Sequence, residues 1–287
     1  MNNFVKRTIS GGIFLGIMLA ALLWNRYAFG VVMMFILCVM MYEFLRMTMG
    51  KKYPWSQVLS IIAGAMLFVL AFCYKGLGMP GTLNILVFIP LLIMMANAVY
   101  VRDRENFGKY AFLYTAILYI AVPWTLMNFA VFNTIGDRIV FNGHVLLGFF
   151  CVIWGSDVGA YIFGCTLGRK FGGKLCPHVS PKKSWMGFWG GMLTAVAAGV
   201  LMWYFRIFDF ASEYSLVHSI VLAVLMNIAG VYGDLIESQW KRYCETKDSG
   251  VMIPGHGGLL DRFDSALMAI PMGAIYLIMF NLMDFQI

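Results

Sequence analysis

The chain has 287 residues, of which 61% are hydrophobic, 16% aromatic and only 12% charged, against roughly 25% charged in an ordinary soluble domain. With a mean hydropathy of +0.78, too few charged groups remain to cover a water-soluble protein of this size, which excludes a disordered chain, a secreted disulfide scaffold and a cytosolic globule. The formal net charge of +7 reads as Lys and Arg collecting on one side of a membrane, and no nucleic-acid partner is expected, because no basic, aromatic-interleaved stretch lies outside the apolar runs.

Crossing the hydrocarbon layer as a helix takes about 20 apolar residues. Nine stretches reach or approach that length: 9–24, 28–45, 57–74, 83–101, 110–132, 145–164, 187–208, 215–235 and 264–283. Only residues 25–27 separate the first two, which predicts a tight helical hairpin. Lys6-Arg7 precedes the first run as in a signal peptide, but no small-x-small cleavage site follows, so it is retained as a span. The N-terminal tail and the even-numbered connections then carry every Lys and Arg of the chain except Arg26, Lys75, Arg138 and Arg206. That bias puts the N-terminus in the cytoplasm and the C-terminus outside. The expected fold is all-α: one polytopic integral membrane domain of about nine helices. Residues 1–143 form a scaffold with a lipid groove, and residues 144–287 carry the cytoplasmic loops and the chemistry. The six cysteines form no CxxC pair and read as structural thiols.

Polar chemistry begins at Asp157, within Trp154-Gly155-Ser156-Asp157. A carboxylate at the bilayer centre costs about 2.5–3.5 kcal/mol, and less towards an interface. A structural role and a functional one weigh equally here. The next connection contains Arg169-Lys170 and then Ser180-Pro181-Lys182-Lys183-Ser184-Trp185-Met186-Gly187. Arg169 and Lys170 suit a headgroup anchor. A compact Ser-Pro-Lys-Lys-Ser turn suits a polyphosphate clamp, with charge from Lys182 and Lys183 and a hydroxyl from Ser180.

The densest constellation follows the eighth stretch. At 100° per residue, Asp234, Glu237, Ser238 and Lys241 share about 100° of one helix face, with Arg242 at its edge and Asn227 two turns deeper. A solvated helix end could produce this alone, but Lys247-Asp248-Ser249-Gly250, His256-Gly257-Gly258 and Asp261-Arg262-Phe263-Asp264 follow. The glycine pair lets backbone N–H groups approach an anion, and His256 is a hydrogen-bond donor to phosphate or a general base. Asp261 and Asp264 offer the hard oxygens that Mg²⁺ requires.

These residues resemble the signature of the phosphatidate cytidylyltransferases, or CDP-diacylglycerol synthases. That pattern is Ser, two variable residues, Lys-Arg, a gap, Lys-Asp, a gap, His-Gly-Gly, two residues and Asp-Arg-x-Asp. It is met by Ser238, Lys241-Arg242, Lys247-Asp248, His256-Gly257-Gly258 and Asp261-Arg262-Phe263-Asp264. The Ser180–Gly187 block resembles the family's Ser-Pro-Lys-Lys-Thr-Trp-Glu-Gly, with Ser184 for Thr and Met186 for Glu.

The resemblance implies transfer of CMP from CTP to phosphatidate, releasing pyrophosphate. For that reaction we assign Asp234 and Asp261 to Mg²⁺, with Asp264 as a further ligand or a support behind the direct ligands, and a second, monovalent or divalent, cation is admitted. Ser238, Lys241, Arg242, Asp261 and Asp264 are then the catalytic candidates. Ser180, Lys182, Lys183, Lys247, Asp248, His256, Gly257, Gly258 and Arg262 are the substrate-binding ones. The partners expected are CTP, phosphatidate and membrane lipid, with a homodimer left open. Compactness and the lack of a targeting extension favour a bacterial inner membrane, with the site on its cytoplasmic side. The rivals are a CTP-dependent enzyme acting on an isoprenoid or ether lipid, and a transporter lined by Asp157, Asn227 and Asp234.

Overall fold

The computed structural model describes residues 3–168, 173–208, 210, 212–250 and 257–282, with the side chains of residues 3–8 left out. The helices are α1 (Asn3–Leu23), α2 (Arg26–Met49), α3 (Pro54–Leu77), α4 (Phe88–Ala98, entered through a 3₁₀ turn at Gly81–Val87), α5 (Phe107–Val131, composite), α6 (Gly143–Thr166), α7 (Trp185–Tyr204), α8 (Ser215–Tyr243), α9 (Leu260–Phe263) and α10 (Ala266–Met279). Among the described residues, eight helical stretches are long and apolar enough to cross a membrane; the apolar part of α1, Ile9–Leu23, is shorter. Each of the nine expected stretches is therefore helical, and the protein is a polytopic helical membrane protein. Among the described residues four short strands are added: β1 (Phe132–Ile135), β2 (Arg138–Phe141), β3 (Lys174–Cys176) and β4 (Ser180–Ser184). The six cysteines are free thiols.

The chain forms two compact units. The first comprises Met1–Asn128, Ile139–Phe141 and Cys244–Phe263; the second comprises Phe129–Arg138, Asn142–Tyr243 and Asp264–Ile287.

In the first unit the α1–α2 hairpin turns on Asn25. Its side chain accepts from the N–H groups of Tyr27 and Ala28, both at 2.9 Å, satisfying donors that the first turn of α2 cannot use internally. Pro54 starts α3, where its missing N–H costs nothing. Within α5 the backbone widens to a π turn at Ile117–Ala121 just before Pro123, relieving the clash that the proline ring makes with the preceding turn. The core gathers Phe29, Phe44, Phe68 and Trp124. Trp124 Nε1 donates to Met33 O at 2.9 Å, and its ring meets Phe263 edge-on at 5.0 Å. Lys52 Nζ reaches Asp103 at 2.9 Å, joining the second and fourth connections at one end, as alternating spans require. The Lys52 hydrogen bond holds the Asp103 carboxyl below its ordinary value.

In the second unit α6 and α7 lie in very close contact. A methyl group at Gly159 would sit 2.0 Å from Thr194 Oγ1 and 2.7 Å from Gly190 O. Lipid tails are as apolar as Leu, so such van der Waals contact, rather than burial from water, drives association of these helices. Ser156 on α6 donates to Asn227 on α8, and Asn227 Nδ2 points to Met192 on α7 at 3.6 Å. Asn227 is therefore a three-helix lock, buried at 3% exposure. Large apolar side chains such as Val31, Ile85, Leu92, Leu118 and Leu193 remain exposed, as expected of surfaces that face lipid.

Candidate active site

The Ser-Pro-Lys-Lys-Ser segment corrects the sequence reading. It is not a compact turn but strand β4, paired antiparallel with β3 in a register that sets Lys174 against Ser184 and Cys176 against Ser180. Pro181 signals a turn in the sequence, yet a two-stranded edge tolerates it because no partner needs its N–H. The pairing is irregular between Lys174 and Cys176, and the two lysines differ in environment: Lys182 is exposed, whereas Lys183 is half-buried. The strand runs directly into α7. Ser184 is the N-cap, its side chain accepting from Gly187 N at 3.2 Å. Thr makes the same cap, so the Ser-for-Thr departure has a structural account. Met186 lies half-buried in the first turn of α7.

Lys183 Nζ lies 2.5 Å from Asp234 Oδ2. Asp234 Oδ1 accepts from Ser238 Oγ at 3.2 Å, one turn further along α8. Lys241 pairs with Glu237, again one turn apart, and Glu237 is fully buried. The helical face read from the sequence thus exists as two i,i+4 contacts. Arg242 Nε donates to Val179 O at 3.3 Å, fastening the end of α8 to the β3–β4 turn. Asp157 on α6 interacts electrostatically with Asp234 and Lys183, and Asp264 with Asp234, Asp157 and Lys241. The second unit therefore gathers Asp157, Lys183, Asp234, Glu237, Ser238, Lys241 and Asp264. Ser180 is half-buried on β4.

Asp264 does not begin a helix, as the sequence reading expects. It sits with Ser265 in the break between α9 and α10, and its Oδ1 accepts from Ser265 N at 2.6 Å.

The remaining candidates lie in the first unit. Asp261 Oδ2 accepts three bonds: from Ser249 N at 3.0 Å, Ser249 Oγ at 2.9 Å and Gly258 N at 2.9 Å. Gly257 has φ of +84°, a conformation that disfavours a side chain, and a Cβ there would lie 3.2 Å from Asp261 Oδ2. Lys247, Asp248 and Arg262 are exposed. His256 lies outside the described residues, as do Arg169 and Lys170.

Two acidic residues escaped the list of site candidates. Glu237 was legible as the i,i+4 partner of Lys241. Glu43 is the only acidic residue before Asp103, and its Oε2 accepts from Leu260 N at 2.8 Å.

Hard carboxylate oxygens beside a hydroxyl, as at Asp157, Asp234, Asp264 and Ser238, suit a divalent cation such as Mg²⁺. Among the described residues no three His, Cys, Asp or Glu side chains converge as a ready-made cage. Mg²⁺ takes one or two carboxylates and completes its shell with water and substrate phosphate, so the donor set fits that mode.

Carboxylates, lysines and a hydroxyl thus cluster on the helices and β4 of the second unit of a helical membrane protein. The profile of the cytidylyltransferase family matches residues 5–280, and the chain belongs to that family. Among similar proteins are the phosphatidate cytidylyltransferases of Staphylococcus saprophyticus and Staphylococcus haemolyticus, each 36% identical over 186 residues, and that of Staphylococcus aureus, 33% identical over 186 residues. Each alignment takes in 65% of this chain and 66% of the relative, so the chain spans just under two thirds of the length of the curated relatives it matches.

Proposed function

We propose that the protein transfers the CMP moiety of CTP to phosphatidate, giving CDP-diacylglycerol and pyrophosphate. The observation that carries this reading is the Lys183–Asp234 pair, which joins the Ser-Pro-Lys-Lys-Ser strand to the helix that opens the family signature. The phosphate of phosphatidate is already an anionic nucleophile. It attacks the α-phosphorus of CTP in line; a P–O bond forms to the lipid oxygen as the bond to pyrophosphate breaks, and pyrophosphate leaves with the electron pair. No strong general base is needed, so catalysis consists of positioning two polyanions and offsetting their charge.

Lys183, Lys241, Arg242 and Lys182 supply positive charge to the triphosphate and lipid phosphate. Ser180 adds a hydroxyl donor, and Ser238 would add one on exchanging its bond to Asp234 for one to phosphate. His256 and Gly257 donate hydrogen bonds to phosphate oxygens; Gly258, whose N–H is held by Asp261, lets the backbone approach them, with Lys247, Asp248 and Arg262 as further substrate contacts. Asp234 and Asp264 would hold Mg²⁺, and the family resemblance adds Asp261. The cation, when bound, lowers the repulsion between phosphate groups. The excess of basic residues in the even-numbered connections supports a site on the cytoplasmic face, most simply of a bacterial inner membrane, where CTP would arrive from water and the lipid from the bilayer.

Purified protein in detergent, given labelled CTP and phosphatidate, is expected to form labelled CDP-lipid only with Mg²⁺. Asp261→Asn should abolish the product while the protein stays monodisperse. A fully active Asp261→Asn variant removes that carboxylate from the chemistry, and label appearing only with a polyprenyl acceptor replaces the lipid substrate. Lys183→Ala should raise KM for CTP about tenfold, the cost of one charge-assisted contact. An unchanged KM would reduce Lys183 to an anchor of β4.

A further inference from the structure

The sequence reading makes the first half of the chain scaffold, yet α2 carries a carboxylate in its buried core. Glu43 is 5% exposed, and an ionisable side chain in a membrane-spanning helix is retained where another element uses it. Here that element is the segment carrying the end of the family signature. Glu43 Oε2 accepts from Leu260 N, the first amide of α9, at 2.8 Å. A methyl group at Gly250 would lie 2.5 Å from Glu43 Oε1, and one at Gly258 would lie 2.8 Å from Glu43 Oε2. The carboxylate is thus pressed against two glycines, one on each side of residues 251–256, and only a residue without Cβ fits either place.

Asp261 occupies the next layer. Its Oδ2 gathers Ser249 N, Ser249 Oγ and Gly258 N, that is, donors from Gly258, which Glu43 also touches, and from Ser249, the neighbour of Gly250. Glu43 and Asp261 also interact electrostatically. Glycine-rich backbone loses more freedom on ordering than any other, so a fixed acceptor reaching in from a rigid helix restricts it where its own side chains cannot. Resting on the reading that Asp261 acts in CMP transfer, we infer that Glu43 is a positioning residue: it orders residues 249–250 and 257–261 and thereby fixes the Asp261 carboxylate.

The test uses the full-length protein in detergent. Trypsin cleavage after Lys247, which is exposed beside the ordered segment, is timed by mass spectrometry, with cleavage after the exposed Lys52 as internal reference. Transfer of labelled CMP is measured in parallel across Mg²⁺ concentrations. Glu43→Ala should speed the Lys247 cut about tenfold, leave the Lys52 cut unchanged, lower kcat about tenfold and raise the Mg²⁺ concentration for half-maximal rate. Glu43→Gln keeps an acceptor for Leu260 N–H and should restore most of the protection. If Glu43→Ala yields no folded protein, Glu43→Asp serves instead: it keeps the charge but falls short of Leu260, and the Lys247 cut should quicken about threefold.

Unchanged cleavage at Lys247 overturns the inference. So does equal acceleration at both sites, because that reports general destabilisation. A wild-type protein without transferase activity, whose Lys247 protection still depends on Glu43, overturns the proposed reaction while upholding the ordering role.

Discussion

Asp234→Asn is expected to lower turnover with CTP and phosphatidate by about 10²–10³-fold, the usual cost of removing one preorganised charged group from a phosphoryl-transfer site. The substitution preserves shape and leaves an oxygen to accept from Ser238, now at 3.2 Å from Oδ1. What it removes is the negative charge that faces Lys183 at 2.5 Å and the hard oxygen that a divalent cation would use. Incorporation of labelled CMP into organic-extractable product, with size-exclusion chromatography as the folding control, measures the effect. Turnover within a few-fold of wild type would leave the Lys183–Asp234 pair as a structural clip between β4 and α8.

Gly233→Ala is expected to be nearly as damaging, through packing alone. A Cβ at this position would lie 2.5 Å from Asp264 O and 3.2 Å from Ser265 Cα. Both are backbone atoms, which cannot step aside as a flexible side chain would. Overpacking of this kind costs about 1–3 kcal/mol, so the melting temperature in detergent should fall by about 5 °C. Turnover should drop at least tenfold, because the atoms pushed away belong to Asp264, a proposed metal ligand, and its neighbour. One turn earlier, a Cβ at Gly230 would meet Ser265 Cβ at 3.6 Å and Ala269 Cβ and Ser265 O at 3.7 Å, all ordinary contacts. Gly230→Ala should therefore leave the melting temperature unchanged or raise it slightly, alanine being the better helix former. Equal behaviour of the two variants would show that α8 and the 264–265 break tolerate a methyl at their closest approach.

What could be read without coordinates divides by the range of the interaction. The helices were legible because length and apolarity are local, and Asn25 between two apolar runs marked the hairpin for the same reason. The shared face of Asp234, Ser238, Glu237 and Lys241 followed from 3.6-residue periodicity. β4 was not legible: its partner strand has three residues, too few to leave an alternating pattern, and Pro181 argued for a turn. Residues 264–283 read as one apolar stretch, whereas the helix is broken at Asp264 and Ser265. Pairings between distant segments left no trace. Nothing near Lys183 points to Asp234, and Leu260 lies 217 residues from Glu43. A weak signal did exist at Glu43, a lone acid in more than a hundred otherwise acid-free residues. Without a neighbour to pair with, it had no spacing to interpret.

The pairing of Lys183 with Asp234 and of Lys241 with Glu237 also bears on how a nucleotide would first be captured. Two separated cations would act as monopoles, whose attraction for a triphosphate reaches about 10 Å through physiological salt. Each cation locked to an acid behaves instead as a dipole, and its field dies away within a few ångströms. Long-range steering of CTP would therefore fall to basic residues outside these two pairs, such as the exposed Lys182 and Lys247, and not to Lys183 or Lys241. Selectivity for the polyanion would then arise after contact, as phosphate oxygens compete with Asp234 and Glu237 for the ammonium groups they already hold.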